Sequence, residues 1–507
     1  MSRLSFKNII LSSILKKRIN QINRISENPI ETQKKTLKYL IDRSRETEFG
    51  IEHSFNRISN YETFIKYIPI RDYEELFKYI KKIREGKKNI LWPGEIRNFA
   101  KSSGTTNAKS KFIPLSKETL YNCHYKGGKD MLALYLNSNP NSKIFDGKGI
   151  ILGGYEEKNN KYIDADLSAI LLKNFPFWVN MNRIPDIKTA IMKDWNNKLE
   201  KITNQSINQN ITNLSGVPSW MLLLLQNIVL TTGAKNISEI WPNLELYMHG
   251  GINFSPYQNQ FNKLIPSNKM NYLETYNASE GFFAIQDRSD SKDMLLMLDY
   301  GIFYEFIKKE EINNKEYETL TIENIKERIE YAIIITTNSG LWRYLIGDII
   351  EFTSTNPFRI KIKGRIKNCI NTFGEELMVS NTDYAIKIAC QKTDNELVDY
   401  SVAPIYIDKE AGGHEWVIEL NNIPKNIIEF KEILDLKLKE VNSDYEAKRF
   451  KNLVIKNPKI KLVKKGVFYK WLEKNKKLGG QNKIARLSED RKLIEELIQL
   501  DNISFQQ

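Results

Sequence analysis

The sequence predicts an α/β protein with a large N-terminal domain and a smaller α+β C-terminal domain. Up to about Lys88 apolar residues recur at helical spacing, and from Asn98 to about Ile360 helical and strand patterns alternate. Near "KIKGRIKNCINTFGEELM" the alternation stops, and a length of 507 residues is usual for two domains. We therefore assign residues 1–365 to the first domain, 366–371 to a hinge and 372–507 to the second domain.

The first region reads as helical. The stretch "PIETQKKTLKYLIDRSRETEFG" places Leu37, Leu40 and Ile41 on one helix face, with Gly50 as a C-terminal stop signal. The apolar runs "NIILSSIL" and "WMLLLLQNIVL" are shorter than the ~20 residues that a membrane span needs, so we expect core-facing helices. An amphipathic helix lying on anionic lipid stays open for residues 1–26, which hold six basic residues and no acidic one.

Short apolar runs predict the strands. In the α/β region these are "GKGIILGG", "NLELYMHGG" and "EYAIIITTN". Beyond the hinge, "SVAPIYID" and "HEWVIEL" predict strands, and "IIEFKEILDLKLKEVN" predicts a long helix. Lysines alternate with apolar residues in "KNLVIKNPKIKLVKKGVFYKWL", which predicts strands with one solvent-facing side.

Charge and cysteine content exclude several function classes. The formal net charge is +14, yet fourteen Lys and Arg residues stand against the single acid Glu473 between Lys448 and Arg486. Because this surplus lies in a strand-like segment, we expect no nucleic-acid partner. The three cysteines have no metal-site or disulfide spacing, which predicts no structural metal and fits a reducing cytoplasm.

Common catalytic motifs are either absent from the sequence or have the wrong spacing. Gly147, Gly149 and Gly153 do not follow a strand and open a helix, as a dinucleotide fingerprint requires. There is no G-x-S-x-G elbow, and four histidines leave little scope for histidine-based nucleophilic or metal chemistry. We interpret His249, at a predicted strand end, as structural.

The stretch "AKSSGTTNAKSKFIP" is chemically suited to phosphate. It is not a Walker loop, because only three residues separate Gly104 from Ala108 and the second glycine is missing. Gly104 nevertheless allows close backbone approach to an anion, and Lys109 or Lys111 can neutralise charge. The hydroxyl donors are Ser102, Ser103, Thr105 and Thr106. By itself the stretch is better explained as a Ser/Thr-rich surface turn.

Two carboxylates complete the chemistry of a nucleotide site. In "ETYNASEGFFA", Glu280 follows Ser279 and lies near Tyr276, and a carboxylate close to a triphosphate can anchor Mg²⁺. In "SGLWRYLIGDIIEF", Asp348 follows Gly347 at a predicted strand end, where it can accept hydrogen bonds from ribose hydroxyls. An ordinary loop acid and a turn or ion-pair residue are the alternatives.

In this order the segments resemble the adenylate-forming superfamily, and within it the auxin-conjugating acyl acid amido synthetases of the Gretchen Hagen family and their bacterial relatives. The family patterns are S-S-G-T-[ST]-x-G-x-x-K, Y-x-x-S-E and [YW]-R-Y-x-x-G-D. The chain departs from them at Ala108, and differs from plant members at Trp342 and Leu345. The last two differences favour a bacterial member.

The resemblance implies a fold, a reaction and residue roles. It implies a large adenylate-forming domain of mixed sheets with a small barrel-like subdomain, and a mobile C-terminal domain. ATP would adenylate a small carboxylic acid, and an amine or amino acid would then displace AMP to give an amide. The phosphate loop, Lys111 and Mg²⁺ on Glu280 would hold the phosphates. The remaining implied roles are adenine packing by Tyr276, nucleotide contact by Ser279, ribose binding by Asp348 and cofactor binding by Arg365. Lys483 and Lys111 are the implied catalytic residues.

Two other functions remain open at this point. One is an acyl-CoA or other thioester-forming ligase on the same fold, and the other is a basic binding protein without catalysis. Glu280, Asp348 and the loop hydroxyls all remain, which disfavours the non-catalytic alternative. We further expect a cytoplasmic monomer without stable membrane insertion.

Overall fold

The computed structural model describes residues 6–102, 111–158, 162–175, 177–251, 254, 258–312, 314, 316–366, 369–406, 412–452, 454–475 and 484–503. It confirms the α/β class, with a large N-terminal and a smaller C-terminal part. Over these ranges no helix is both long and apolar enough to cross a bilayer.

The helices are concentrated at the N-terminus and between strands of the large sheet. In chain order they are α1 Phe6–Glu27, α2 Pro29–Ser44, α3 Glu48–Glu52, α4 Tyr61–Tyr67, α5 Tyr73–Arg84, α6 Lys117–Thr119, α7 Tyr125–Ser138, α8 Leu167–Lys173, α9 Phe177–Met181, α10 Ile187–Ala190, α11 Trp195–Ser206, α12 Pro218–Thr232, α13 Ile237–Ile240, α14 Gln258–Leu264, α15 Val379–Lys392, α16 Ile427–Val441, α17 Ser443–Lys448, α18 Val467–Lys474 and α19 Lys492–Ile503.

The strands form one large sheet and three smaller ones. They are β1 Asn98–Ser102, β2 Lys111–Leu115, β3 Lys148–Ile151, β4 Glu156–Lys158, β5 Ile163–Ala165, β6 Arg183–Ile184, β7 Ile211–Ser215, β8 Leu246–Gly250, β9 Asn271–Ala278, β10 Gly281–Ile285, β11 Met294–Leu296, β12 Ile302–Lys308, β13 Glu330–Thr337, β14 Tyr344–Thr355, β15 Phe358–Arg365, β16 Cys369–Ile370, β17 Leu377–Met378, β18 Leu397–Tyr406, β19 Gly412–Leu420 and β20 Lys459–Val463.

The predicted amphipathic helix is confirmed, but its predicted end is wrong. α2 buries Leu37, Leu40 and Ile41 and ends at Ser44. Gly50 lies inside α3 instead, where a Cβ atom would come within 2.1 Å of the Ser44 carbonyl oxygen. Gly50 is therefore required for close backbone approach and not for helix termination.

The basic C-terminal segment is only partly as predicted. β20 is a strand, but Val467–Lys474 is the helix α18, because Val467, Phe468 and Trp471 share one buried face. Acids from other elements neutralise part of the segment. Lys459 Nζ lies 2.8 Å from Glu415 Oε1.

The large sheet has eleven strands among the described residues, in the order β12-β13-β14-β15-β11-β10-β9-β8-β7-β3-β6. β6, β3, β7, β8 and β9 are mutually parallel, whereas the strands from β9 to β12 pair antiparallel. The carboxyl ends of the parallel strands therefore meet at one edge, where ligands commonly bind in α/β proteins.

The C-terminal part has its own sheet, but its apolar core is continuous with the N-terminal part, since Phe373 and Trp416 belong to the same buried cluster as Leu214 and Trp241. β18, β19 and β20 form a three-stranded sheet, and α15 and α16 pack together beside it. The strands predicted from "SVAPIYID" and "HEWVIEL" and the helix predicted from "IIEFKEILDLKLKEVN" are all present.

A buried ion pair joins the N-terminal helices to the large sheet. Arg343 Nη2 lies 2.8 Å from Glu305 Oε1, and the two side chains are 5% and 0% exposed. Arg343 also donates to the carbonyl oxygen of Ile68 at 2.7 Å, and the Tyr61 hydroxyl donates to Glu305 at 2.9 Å. The pair therefore holds the helical region, β12 and the start of β14 in one arrangement.

We expect Glu305→Gln to lower the free energy of unfolding by about 3–5 kcal/mol, because it leaves the buried Arg343 charge without its counter-ion. Chemical denaturation followed by circular dichroism measures this. Glu440→Gln is the matched control, since Glu440 pairs with Lys437 at an exposed position and should cost less than about 1 kcal/mol. Equal effects of the two substitutions would contradict the role of the buried pair.

Candidate functional site

A cavity of about 2010 Å³ opens at the carboxyl edge of the parallel strands. Its wall includes Gly153 after β3, Gly216 after β7 and Gly251 after β8. The C-terminal part contributes a facing wall that includes Asn442 and Asp444. The cavity therefore lies between the large sheet and the C-terminal part.

Lys111 reaches the buried Tyr344 at this cavity. Its Nζ atom lies 3.1 Å from the Tyr344 hydroxyl and 5.9 Å from the centre of the Tyr73 ring. Burial raises the pKa of Tyr344 well above its usual value, and the nearby carboxylates of Glu280 and Asp348 raise it further. A lysine, a phenol and two carboxylates therefore share one electrostatic environment.

Tyr276 and Asp348 are directly hydrogen-bonded. The Tyr276 hydroxyl donates to Asp348 Oδ2, and the residues are 6% and 7% exposed. Asp348 lies inside β14 and not at a strand end as predicted, because Gly347, with φ of +97°, bends the strand without ending it. Arg343 is bonded to Glu305, so an Asp348–Arg343 core pair is not the arrangement observed.

This hydrogen bond requires the large sheet to curl. Four steps between neighbouring strands separate β9 from β14, which would be about 19 Å in a flat sheet. The two side chains could not meet across that distance. The antiparallel strands therefore curve until β14 approaches β9, and both residues of this contact line the cavity.

Glu280 and Ser279 lie in the turn between β9 and β10 and both line the cavity. Glu280 is 8% exposed. No group of three or more His, Cys, Asp or Glu residues in the described part of the chain could hold a metal ion. A single carboxylate still fits Mg²⁺, because this ion often takes one protein carboxylate together with substrate phosphates and water.

Several predicted site residues cannot be placed. Ser103, Gly104, Thr105, Thr106 and Lys483 lie outside the described residues. Ser102 ends β1 directly opposite Lys111 on β2, so the predicted phosphate loop begins and ends at one point of a hairpin. The backbone of Arg365 is paired with Asp348 across β15 and β14.

Glu274 is a cavity residue that the sequence reasoning missed. It lies on β9 opposite His249 on β8, so both side chains are on one face of the sheet. Burial raises the pKa of Glu274 to about 7 and lowers that of His249 to about 3. Within the described ranges, neither an ion pair nor a hydrogen bond reaches the Glu274 carboxylate. A substantial fraction of this acid is therefore protonated at neutral pH, unlike an ordinary surface glutamate.

A second charged group, Asp166 and Lys198, lies at the end of β3. Lys198 is 2% exposed and its Nζ atom donates to the carbonyl oxygens of Gly153 and Gly154. Burial lowers its pKa to about 8. Burial, with Asp444 nearby, raises the pKa of Asp166 to about 6. The glycine turn at the cavity rim is thus fixed by a buried cation.

The sequence contained only a weak signal for these residues. In "LETYNASE", Glu274 occupies a position that faces one side of the strand, and nothing in these letters marks it as buried. That its carboxylate has no partner among the described residues depends on how the strands pair, which the sequence does not show. Lys198 is one of many lysines on a helical pattern. Its burial depends on the glycine turn that it contacts.

Three family models match successive parts of the chain. They are the GH3 family N-terminal domain over residues 18–270, the GH3 family central domain over 295–365 and the GH3 family C-terminal domain over 380–492. Together they span most of the sequence.

Characterised proteins and solved structures are also similar. An indole-3-acetic acid-amido synthetase, GH3.4 of Arabidopsis thaliana, is 22% identical over 414 residues, covering 66% of this chain and 67% of that protein. The structure of AtGH3.15 acyl acid amido synthetase in complex with 2,4-DB matches with a TM-score of 0.61 and 17% identity, covering 96% of both chains. A 2-hydroxyisobutyryl-CoA ligase structure matches with a TM-score of 0.51 and 11% identity, covering 96% of this chain and 92% of that one.

We expect Glu274→Gln to stabilise the protein more at pH 8 than at pH 5. The folded-state pKa of about 7 exceeds the ordinary value of 4.5, so the folded state binds more protons between these values and stability falls as pH rises through this window. Removing the acid removes that loss, which we expect to be on the order of 1–2 kcal/mol given access from the cavity. Thermal unfolding of both proteins at both pH values tests this. An equal change at both would contradict the assigned titration.

Proposed function

Since this chain belongs to the GH3 family, we propose that it is an ATP-dependent ligase that activates a small carboxylic acid as an acyl adenylate and transfers the acyl group to an amine or amino acid. Family membership confirms the resemblance inferred from the three motifs. The bacterial branch remains a prediction.

One observation supports the proposed function most directly. Lys111, the Tyr276–Glu280 segment and Asp348 are far apart in sequence, yet Lys111, Tyr276, Glu280 and Asp348 all line one cavity. A cation, two carboxylates and a phenol are the groups that a triphosphate, its metal and a ribose require. The alternatives weighed for single residues, a surface turn or a loop acid, do not explain this convergence.

The proposed reaction has two steps. A carboxylate oxygen attacks the α-phosphorus of ATP, and pyrophosphate leaves with the electron pair of the broken P–O bond. An amine nitrogen then attacks the acyl carbon, the bond between the acyl carbon and the phosphate oxygen breaks so that AMP leaves, and the nitrogen loses one proton to solvent or a base. Neither step requires a covalent enzyme intermediate, so positioning and charge stabilisation are the main contributions of the protein.

The described residues have defined parts in this scheme. Lys111, held by Tyr344, would neutralise phosphate charge, and Asp348 would accept hydrogen bonds from the ribose. Tyr276 would orient Asp348 through its hydroxyl while its ring packs on the adenine. Glu280 would hold Mg²⁺, which would supply charge neutralisation for the triphosphate.

The domain assignment belongs to the same proposal. Residues 366–371 would act as a hinge, since they follow the last strand of the large sheet. Residues of the C-terminal part, such as Asn442, already form a wall of the cavity, so rotation there would change access. A cytoplasmic location and a monomeric state also remain part of the proposal.

We expect acid-dependent exchange of labelled pyrophosphate into ATP for some carboxylate in a panel that includes indole-3-acetate and 2,4-DB. Product mass after addition of amino acids, other amines or CoA then identifies the acceptor. An amide product supports the proposal, whereas a CoA thioester would favour the other ligase. Absence of both ATP binding and exchange would favour a non-catalytic protein.

We expect Asp348→Ala to raise the KM for ATP in this exchange at least tenfold while the melting temperature changes little, because Asp348 lines the cavity. Tyr276→Phe is the matched comparison, since it removes only the hydroxyl that orients Asp348 and should have a smaller effect in the same direction. An unchanged KM in Asp348→Ala would contradict the ribose assignment.

We expect Lys483→Ala to reduce pyrophosphate exchange at least a hundredfold, yet still to convert a supplied acyl adenylate to amide. The reason is that only the first step builds charge on the α-phosphate and the departing pyrophosphate. Rapid-quench assays of each half-reaction measure the two effects. Equal loss in both, or normal exchange, would remove Lys483 from the mechanism.

A further inference from the structure

Arg183 places a guanidinium with an open donor in the cavity wall. The residue is 6% exposed and lines the cavity. Its Nε atom donates to Asn180 Oδ1 at 2.7 Å and its Nη1 atom to the carbonyl oxygen of Pro185, whereas Nη2 donates to no group in the described part of the chain. The fully buried polar atoms that lack a partner do not include Nη2, so this atom keeps accessible surface. The open space beside it is the cavity.

No carboxylate among the described residues pairs with Arg183. Asp186 is the one acid that acts on its charge, and the carboxylate of Asp186 instead accepts hydrogen bonds from the Lys188 and Thr189 amides, the Thr189 hydroxyl and the Gln205 side chain. Burial lowers the pKa of Arg183, and Asp186 offsets this only in part. Arginine nevertheless stays protonated in proteins. The cavity wall therefore carries a desolvated positive charge, which a bound anion would stabilise.

An open strip of the large sheet leads to Arg183. Arg183 on β6 pairs with Gly149 on β3, and Gly149 pairs with Asn213 on β7, so the three positions share one face. A Cβ atom at Gly149 would lie 2.4 Å from Asn213 Oδ1, so only glycine leaves this row open beside Arg183. The cavity-lining residues of the next row on the same face are Ile151, Ser215 and Met248. The cavity therefore extends across the sheet from β8 to β6.

The strip has an apolar cover and lies away from the nucleotide residues. Leu132, Leu171 and Phe175 line the cavity and pack against the same apolar cluster as Met248. Four steps between neighbouring strands separate β9, which carries Tyr276, from β6, or about 19 Å. With the nucleotide bound beside Tyr276, the part of the cavity that ends at Arg183 is left for the acyl group.

We propose that Arg183 binds a second carboxylate of the acyl acid, so that the preferred substrates are extended dicarboxylic acids with an apolar middle. This inference rests on the proposed function. A guanidinium is well matched to a carboxylate, and a distal carboxylate would accept from Nη2. An acid with a neutral end would leave the buried cation unpaired, and sites built for a polar group strongly reject analogues that lack it. Asn180 is a positioning residue, because its oxygen orients the guanidinium through Nε.

The test compares matched pairs of acids in pyrophosphate exchange. The pairs are adipate, suberate and sebacate, each with its monomethyl ester. We expect the wild type to favour the diacid by about 10- to 100-fold in kcat/KM for at least one length, which exceeds the statistical advantage of two equivalent carboxylates. Arg183→Gln should remove this preference. Arg97→Gln is the matched control, since Arg97 forms an exposed ion pair with Glu95, and it should leave the ratio unchanged.

Two further variants keep the test decisive if Arg183→Gln does not fold. Asn180→Ala should lower the ratio less strongly, because Nε loses the acceptor that orients the guanidinium. Arg183→Lys keeps the charge without the planar fork and should retain part of the ratio. A general loss of adenylation affects both acids of a pair equally, so the ratio reports on recognition of the second carboxylate and not on folding.

Three outcomes would overturn this inference alone. They are a wild type without preference at every length, a ratio unchanged in the folded variants, and a loss in Arg183→Gln that appears only when the acceptor amine carries a carboxylate. The last result would assign Arg183 to the acceptor. No exchange with any acid, including the acids with one carboxylate, would overturn the proposed function and this inference with it.

Discussion

The arrangement of the site depends on the buried ion pair between Arg343 and Glu305. Arg343 is the residue before β14, and the same strand carries Tyr344 and Asp348. Its guanidinium also binds the Ile68 carbonyl oxygen, so the N-terminal helices and β14 cannot shift independently. The partners of these strand residues, Lys111 and Tyr276, come from two other parts of the chain. The ion pair thus fixes the position of β14, and the contacts that Lys111 and Tyr276 make with this strand depend on that position.

Several elements were predictable because their signals are local. The strands at Lys148–Ile151, Leu246–Gly250 and Glu330–Thr337 are short apolar runs bounded by polar or glycine residues, and the structure confirms each. The turn that carries Glu280 was also found from its neighbours in sequence. These features need no knowledge of distant contacts.

The sequence was less informative where contacts between distant residues determine the local structure. Gly347 looks like a turn residue, yet strands on both sides hold β14 together through the bend. Gly50 looks like a helix end, although the approach of the Ser44 carbonyl explains it. Glu274 gave no sign of its burial, because the cavity beside it forms only when helices and strands from separate segments meet. The family resemblance identified the chemistry of the site but not this residue.

The curl of the large sheet has a consequence for the order of events in the cavity. Tyr276 and Asp348 belong to one continuous sheet, so backbone hydrogen bonds maintain their relative position. The opposite wall, with Asn442 and Asp444, belongs to the C-terminal part, which follows the last strand of the sheet along the chain. A rotation of that wall would leave the Tyr276–Asp348 contact intact. The nucleoside half of an intermediate could then stay anchored while its reactive acyl end is presented first to one reactant and then to another, without dissociating between the two encounters.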